Sequence, residues 1–218
     1  MSDSFTLYSY FRSSAAYRVR IALNLKQLPY TAVPVHLLRG GGEQFTNAYA
    51  CVNPARLVPV LEDGEATISQ SLAIIEYLEE THPRPPLLPS AHAGRAQVRS
   101  LALAIACDIH PLNNLRVLRY LKSTWDRDDA QREEWQRHWI RAGLEALELR
   151  LAGNADTGSF CHGDSPTLAD CCLVPQLANA DRLSLPLDEY PTLRRIRDRC
   201  VQLPAFIAAA PGAQPDAE

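Results

Sequence analysis

The sequence predicts an α/β unit over residues 1–82 followed by an all-α unit over residues 91–218. Three observations predict it. Short apolar runs alternate with helical patterns up to residue 70, and no strand pattern follows. The segment His82–Ser90, HPRPPLLPS, places four prolines in nine residues, which suits neither a helix nor a central strand and marks 83–90 as a linker. From Gly94 onward, apolar residues recur at helical spacing.

The elements of the first unit follow in order. Phe5–Ser9 reads as a strand. Ala15–Lys26 reads as a helix with Ser13 or Ser14 as its N-cap. Tyr30–Leu37, with alternating Val33 and Val35 behind Pro29, reads as a second strand, and Glu43–Cys51 as a short helix. Val58–Leu61 and Ala66–Ile68 flank Asp63-Gly64, a pairing that suits a type I′ hairpin turn because that turn needs positive φ. Ser69 or Ser71 then opens a helix carrying Leu72, Ile75, Leu78 and Glu79. The order is β-α-β-α-β-β-α. In the second unit the helical patterns are Gly94–Lys122 interrupted at Pro111, Arg132–Leu151, Thr167–Leu183 and Leu193–Ala210. The charge run 122–135 reads as a solvated loop and helix start, and the arginines at 194, 195, 197 and 199 as a solvated face.

Composition excludes several classes. The net charge of −3 argues against a nucleic-acid binder relying on backbone electrostatics. No apolar run reaches the roughly 18 residues of a membrane span, and MSDSFTLYSYF has no basic stretch leading into an apolar core. The six cysteines form no Cys-x-x-Cys pair and no metal spacing, so free thiols in a reducing cytoplasm and no metal are expected.

The chemistry should sit beyond the carboxyl ends of the strands, where open α/β sheets take ligands. The first such place is the turn FRSSAAYR, where Ser13 and Ser14 meet the positive end of a helix. That setting suits a carboxylate, a phosphate or a thiolate, and a thiolate there has a lowered pKa. The plainer reading is that one serine merely caps the helix. Val58-Pro59 opens a strand with a residue that donates no N–H and whose peptide bond can be cis, although an edge-strand proline explains it equally. Gln70-Ser71 repeats the polar residue at a helix start.

Taken together, FRSSAAYRVRIALNLK, NPARLVPVLEDG and ISQSLAIIEYLEE resemble the zeta class of glutathione transferases, and HPLNNLRVL and DSPTLADCCLVPQLANADR extend the resemblance over essentially the whole chain. The resemblance implies a thioredoxin-like glutathione-binding domain, a helical substrate domain and a homodimer. It also implies a glutathione-dependent cis-trans isomerase that converts maleylacetoacetate, a dianionic cis-ene, into its trans isomer by reversible thiolate addition. Residue by residue, it implies Ser13 at the glutathione sulfur with Ser14 beside it, and Val58 before a cis Pro59 pairing with the cysteinyl part. Gln70 and Ser71 would take the γ-glutamyl end, and His36 and Gln44 the glycyl end. His110 and Asn114 match positions near the site. Arg182, Arg12 and Arg116 are the candidates for the substrate's carboxylates, Arg12 also being counted with the serines in the catalytic set.

The zeta motif commonly reads Ser-Ser-Cys, and here its third place is Ala15, so the chemistry must rest on the thiol of glutathione. Maleylpyruvate isomerization and a binding protein without turnover stay open as alternatives. Several tempting residues read as structural. Thr167-x-x-Asp170 has the form of a capping box. Asp108 and His110 can serve the kink at Pro111. Tyr8 and Tyr10 read as packing residues, and Trp125, Trp135 and Trp139 as core or interface aromatics.

Overall fold

The computed structural model describes residues 5–218. The chain divides into one unit that runs up to Leu87 and is completed by Gln202–Glu218, and a second unit, Leu88–Val201. The last residues therefore group with the α/β unit, whereas the sequence reading kept 91–218 together. The reason is visible in hydrogen bonds: Asn24 Nδ2 donates to the Ala205 carbonyl at 3.1 Å and Arg20 Nε to that of Ala209 at 2.9 Å.

In the first unit, β1 (Phe5–Ser9), β2 (Tyr30–Pro34), β3 (Val60–Asp63) and β4 (Ala66–Ser69) form one sheet in the order β2-β1-β3-β4. β1 and β2 are parallel and the other pairs antiparallel. β1 buries alternate residues, Phe5, Leu7 and Ser9, as a half-buried strand does. β3 buries Val60 and Leu61 in succession because it lies inside the sheet. β2 stops at Pro34, which lacks a ladder donor, while Val35 N still reaches the Ser9 carbonyl at 2.7 Å. The hairpin loop is Gly64-Glu65, one residue later than expected, since Asp63 pairs with Ala66. Of the two loop residues only Gly64 has positive φ, 57°, so the type I′ expectation fails; glycine takes the first central position instead.

Helices α1 (Ser14–Leu25), α2 (Asn47–Val52), α3 (Ser71–Thr81) and, at the far end of the chain, α9 (Pro204–Ala209) complete this unit. Lys26 and Glu79 form a buried ion pair at 2.7 Å. The same ammonium donates to the carbonyls of His82 and Pro85, and Glu79 accepts from Leu87 N, so the proline-rich segment is tied down from both ends. Such a pair matters most through what its breakage leaves behind, an uncompensated buried charge.

In the second unit the stretch expected to be one helix broken at Pro111 is α4 (His92–Leu103), a wider-wound segment Ala104–Ile109, a tight turn His110–Asn113 and α5 (Leu115–Trp125). α6 (Asp129–Ala152) begins with a capping box from Asp128 and Gln131, so the charge run is a helix start as expected. Gly143 on α6 lets Ile109 approach to where a Cβ would lie 2.2 Å from Ile109 Cδ1. α7 (Leu168–Arg182) is buried almost all round. The pattern read as one helix over 193–210 is two, α8 (Pro191–Cys200) and α9, because Pro204 has no N–H with which to continue α8. Asp170 is fully buried and accepts from Thr167 N, Thr167 Oγ1 and Cys161 N at 2.7, 2.8 and 2.9 Å, the structural role read for it. Trp135 and Trp139 pack edge to face, whereas Trp125 is 56% exposed against Tyr120 and is no core residue.

Candidate functional site

The register of the sheet decides where the three sequence signals fall. Tyr8 pairs with Val60, and Val60 pairs with Ser69. The exit of β1, the entry of β3 and the exit of β4 therefore lie at one end of the sheet. The turn carrying Ser13, the Val58-Pro59 step and the Gln70-Ser71 step share that end, each one or a few residues beyond the ladder. Tyr10, Phe11, Val35, Tyr49 and Val58 pack together beneath it, with Tyr8 partly buried against them, which accounts for both tyrosines as packing residues.

At the first step, Ser13 is the N-cap of α1, and its Oγ accepts from Ala16 N at 3.2 Å. Ser13 N donates to the Tyr10 carbonyl at 2.9 Å, which closes the turn. Ser14 is the first residue of the helix and is 94% buried by its 6% exposure, so Ser13 is the more accessible of the two. Arg12 is exposed, with its guanidinium 5.0 Å from the Phe11 ring. A capped helix head with a hydroxyl and a guanidinium beside it favours an anion.

At the second step, the Val58-Pro59 peptide bond is cis. Val58 precedes the ladder, which starts at Val60. The approach is pinned at Leu57, whose carbonyl accepts from Tyr49 Oη at 2.7 Å and Asn53 Nδ2 at 2.8 Å.

At the third step, Gln70 stands at the N-cap of α3 with φ 72° and makes no side-chain cap. A positive φ in a residue other than glycine is costly and collects at functional sites. The capping serine expected here is absent: Ser71 is already inside the helix, and its Oγ accepts from Arg18 Nη1 at 3.2 Å.

His36 and Gln44 follow β2, which runs parallel to β1, so they belong to the same end. His36 Nδ1 accepts from Leu38 N and Arg39 N at 3.2 and 2.7 Å, which leaves Nε2 to carry the ring proton. That nitrogen lies 3.4 Å from Glu218 Oε1, and the same oxygen takes Arg39 Nη2 at 2.6 Å. Gln44 is buried, gives Nε2 to the Leu37 carbonyl at 3.3 Å, and holds its Oε1 buried with no hydrogen-bond partner among the described residues.

These residues fit glutathione. Two helix heads favour a thiolate and a carboxylate, the His36–Arg39 pair already holds a carboxylate oxygen, and Gln44 Oε1 is a buried acceptor lacking a donor. Arg39 is absent from the sequence reading; its signal is a cation beside the Gly40–Gly42 run at the ligand end of a strand.

The remaining candidates lie in the second unit. Asn114 is the N-cap of α5, its Oδ1 accepting from Arg116 N at 3.0 Å, a structural task that sequence reasoning did not give it. Arg116 is exposed on the first turn of α5, and His110 opens the tight turn before it. Arg182 is exposed on the last turn of α7, with Nη1 3.4 Å from Asn179 Oδ1. Among the described residues, no group of His, Cys, Asp or Glu is arranged to hold a metal ion, and no helix is long and apolar enough to cross a membrane.

Comparison with known proteins bears on this geometry. Residues 7–86 match the family model of the glutathione S-transferase N-terminal domain and residues 129–199 that of its C-terminal domain. A probable maleylacetoacetate isomerase of Vibrio cholerae is 54% identical over 98% of this chain and 99% of its own. A solved zeta-class maleyl pyruvate isomerase superposes with a TM-score of 0.95 at 47% identity, covering 98% of this chain and all of the other, 100%. The maleylacetoacetate isomerase of Anaeromyxobacter dehalogenans, solved with glutathione in its active site, superposes with a TM-score of 0.86 at 48% identity, over 99% of this chain and 98% of that one.

Proposed function

The chain belongs to the glutathione S-transferase family, and from that premise we propose that it is a zeta-class, glutathione-dependent cis-trans isomerase acting on maleylacetoacetate. The observation that carries the reading is the convergence of Ser13, Val58-Pro59 and Gln70-Ser71 on one end of the sheet, with two helix heads among them.

Glutathione supplies a thiol whose anion adds reversibly to the conjugated double bond, so that the bond is single while it rotates. The residues of this chain do the rest. The head of α1 and the Ser13 hydroxyl hold the sulfur as its anion. Val58 offers backbone groups outside the ladder to the cysteinyl portion, and Gln70 and Ser71 take the γ-glutamyl end at the head of α3. His36, Arg39 and Gln44 take the glycyl end. Arg12 lies on the turn itself, where its guanidinium would favour negative charge on the substrate's ketone oxygen; Arg116 and Arg182 are the cations for the substrate's carboxylates. Ala15, where the zeta motif commonly has cysteine, leaves the chemistry without a protein nucleophile on this turn. We place the enzyme in a reducing cytoplasm, in keeping with six free cysteines, and as a homodimer.

The test is conversion of maleylacetoacetate with and without glutathione, followed by loss of the cis-ene absorbance. Turnover only with glutathione supports the reading; glutathione binding without turnover of any cis-ene dianion leaves a binding protein. The likeness to the solved maleyl pyruvate isomerase, at TM-score 0.95, supports maleylpyruvate as the alternative substrate, so kcat/KM for the two should be measured side by side. Sedimentation at micromolar concentration tests the dimer.

A further inference from the structure

Arg20 sits about two turns into α1 and is fully buried. Burying a guanidinium is costly, and an aliphatic side chain would fill the same space for folding alone. What only the guanidinium supplies is a fixed fork of donors. Its Nη1 donates to Ser9 Oγ at 3.0 Å and the Tyr10 carbonyl at 3.4 Å, its Nη2 to the Phe11 carbonyl at 3.1 Å, and its Nε to the Ala209 carbonyl at 2.9 Å. Three of these acceptors are successive residues running straight into Arg12 and Ser13.

The Tyr10–Phe11 peptide group is held on its other side as well. Its N–H, that of Phe11, donates to Asp216 Oδ2 at 3.0 Å, from the end of the C-terminal segment. The carbonyl of this one planar unit thus faces a cation and its N–H faces an anion. Turned over, it would present oxygen to carboxylate and hydrogen to guanidinium. The Tyr10 carbonyl also receives Ser13 N, so the orientation of this peptide fixes the turn that carries the cap of α1.

We propose that Arg20 and Asp216 are positioning residues for the isomerase chemistry, clamping the Tyr10–Phe11 peptide from opposite sides so that Ser13 and the head of α1 meet the glutathione sulfur. This rests on the reading under Proposed function. Burial lowers the Arg20 pKa to about 10, partly opposed by Tyr30, Tyr17 and Asp216, so the guanidinium stays charged through neutral pH.

The experiment compares Arg20→Lys, which keeps the charge and loses the fork, with Asp216→Asn, which keeps the shape and loses the charge. Asn24→Ala is the control, because Asn24 anchors the same C-terminal segment at Ala205 without touching the turn. Calorimetry gives glutathione affinity, ultraviolet absorbance against pH gives ionisation of the bound thiol, and kinetics give kcat and KM. The clamp predicts that both variants shift thiol ionisation upward by about half to one pH unit and lower kcat by roughly three- to tenfold. Glutathione affinity should change less than about twofold, and the double variant should lose less than the product of the two single losses. Asn24→Ala should move melting temperature alone. Variants that melt earlier while thiol ionisation and kcat stay put overturn the proposal, as does an Asn24→Ala shift equal to that of Asp216→Asn. Asp216 lies at the partly exposed surface, so its variant decides the matter even if Arg20→Lys does not fold. A wild-type protein that binds no glutathione overturns the functional reading itself, and the clamp's part in catalysis with it.

Discussion

Replacing Ser13 by alanine should separate the two tasks of its hydroxyl. The oxygen accepts Ala16 N at 3.2 Å and so caps α1, which leaves its own hydrogen to donate to a sulfur held at the helix head. Losing the cap costs about 0.5–2 kcal/mol of stability, or a melting temperature lower by roughly 1–8 °C for a chain of this size. Losing a hydrogen bond to an anion costs roughly 1.5–3 kcal/mol, equivalent to about one to two units in the pKa of the bound thiol. The sign follows from which form is stabilised. The hydroxyl and the helix head both favour the thiolate, so the wild-type pKa is depressed and the variant's lies higher. The variant should therefore lose about 10- to 150-fold in kcat near neutrality and recover as pH rises through its new pKa. Ser13→Gly sharpens the test, because glycine at an N-cap costs only a few tenths of a kcal/mol. It should show the same kinetic loss with little change in melting. A pH–rate profile for Ser13, Ser14 and wild-type forms is the assay. If Ser13→Ala leaves the profile in place while Ser14→Ala displaces it, the buried serine does the work and the assignment is wrong.

Other outcomes follow from the same geometry. Arg182→Met should lower kcat/KM for the dianionic substrate by at least about tenfold with glutathione affinity unchanged, since a bidentate grip on a carboxylate is lost; an unchanged kcat/KM in a folded variant moves that role to Arg12 or Arg116. Asp170→Ala should strand the N–H groups of Cys161 and Thr167 in a fully buried site. At about 1–3 kcal/mol per stranded group, scanning calorimetry should find a melting temperature lower by roughly 5–20 °C. Native protein treated with a thiol reagent at pH 8 should lose Cys51 and Cys107 and keep the four buried cysteines, until denaturant exposes all six. Burial raises the pKa of Cys161, Cys171 and Cys200, so these remain protonated and inert at that pH. Labelling of any of these three as fast as Cys51 would contradict that burial.

Local signals made most of the fold legible. Strand periodicity located β1 and the hairpin strands, and capping residues located the starts of α1 and α7. The errors fall where two local rules compete. Asp63-Gly64 satisfied the composition of a type I′ turn, but the register set by Asp63 against Ala66 put the glycine one place earlier in the loop. The sequence reading also missed that Asn114 caps α5, which needs an N-cap after Pro111 has broken the chain. Pro204 likewise ended a helix whose apolar pattern ran on.

The candidate site was legible only in the parts that lie on one short stretch each. Ser13, Pro59, Gln70 and Ser71 stand at strand ends, and strand ends can be read. Arg18, Arg20, Asp216 and Glu218 cannot, because their meaning depends on what reaches them from far along the chain. Helical charge patterning assigns alternate arginines to a solvated face, and α1 violates it: Arg18 is 2% exposed and Arg20 is not exposed. The helix is covered on several sides, by the sheet, by α3 through Ser71 and by the C-terminal segment through Ala209. A helix enclosed in this way has no solvated face, so each charge on it must meet a polar group of the interior. For Arg20 those groups are the carbonyls of the strand-to-helix turn, and the residue that looks least like part of a site becomes the one that holds the site's shape.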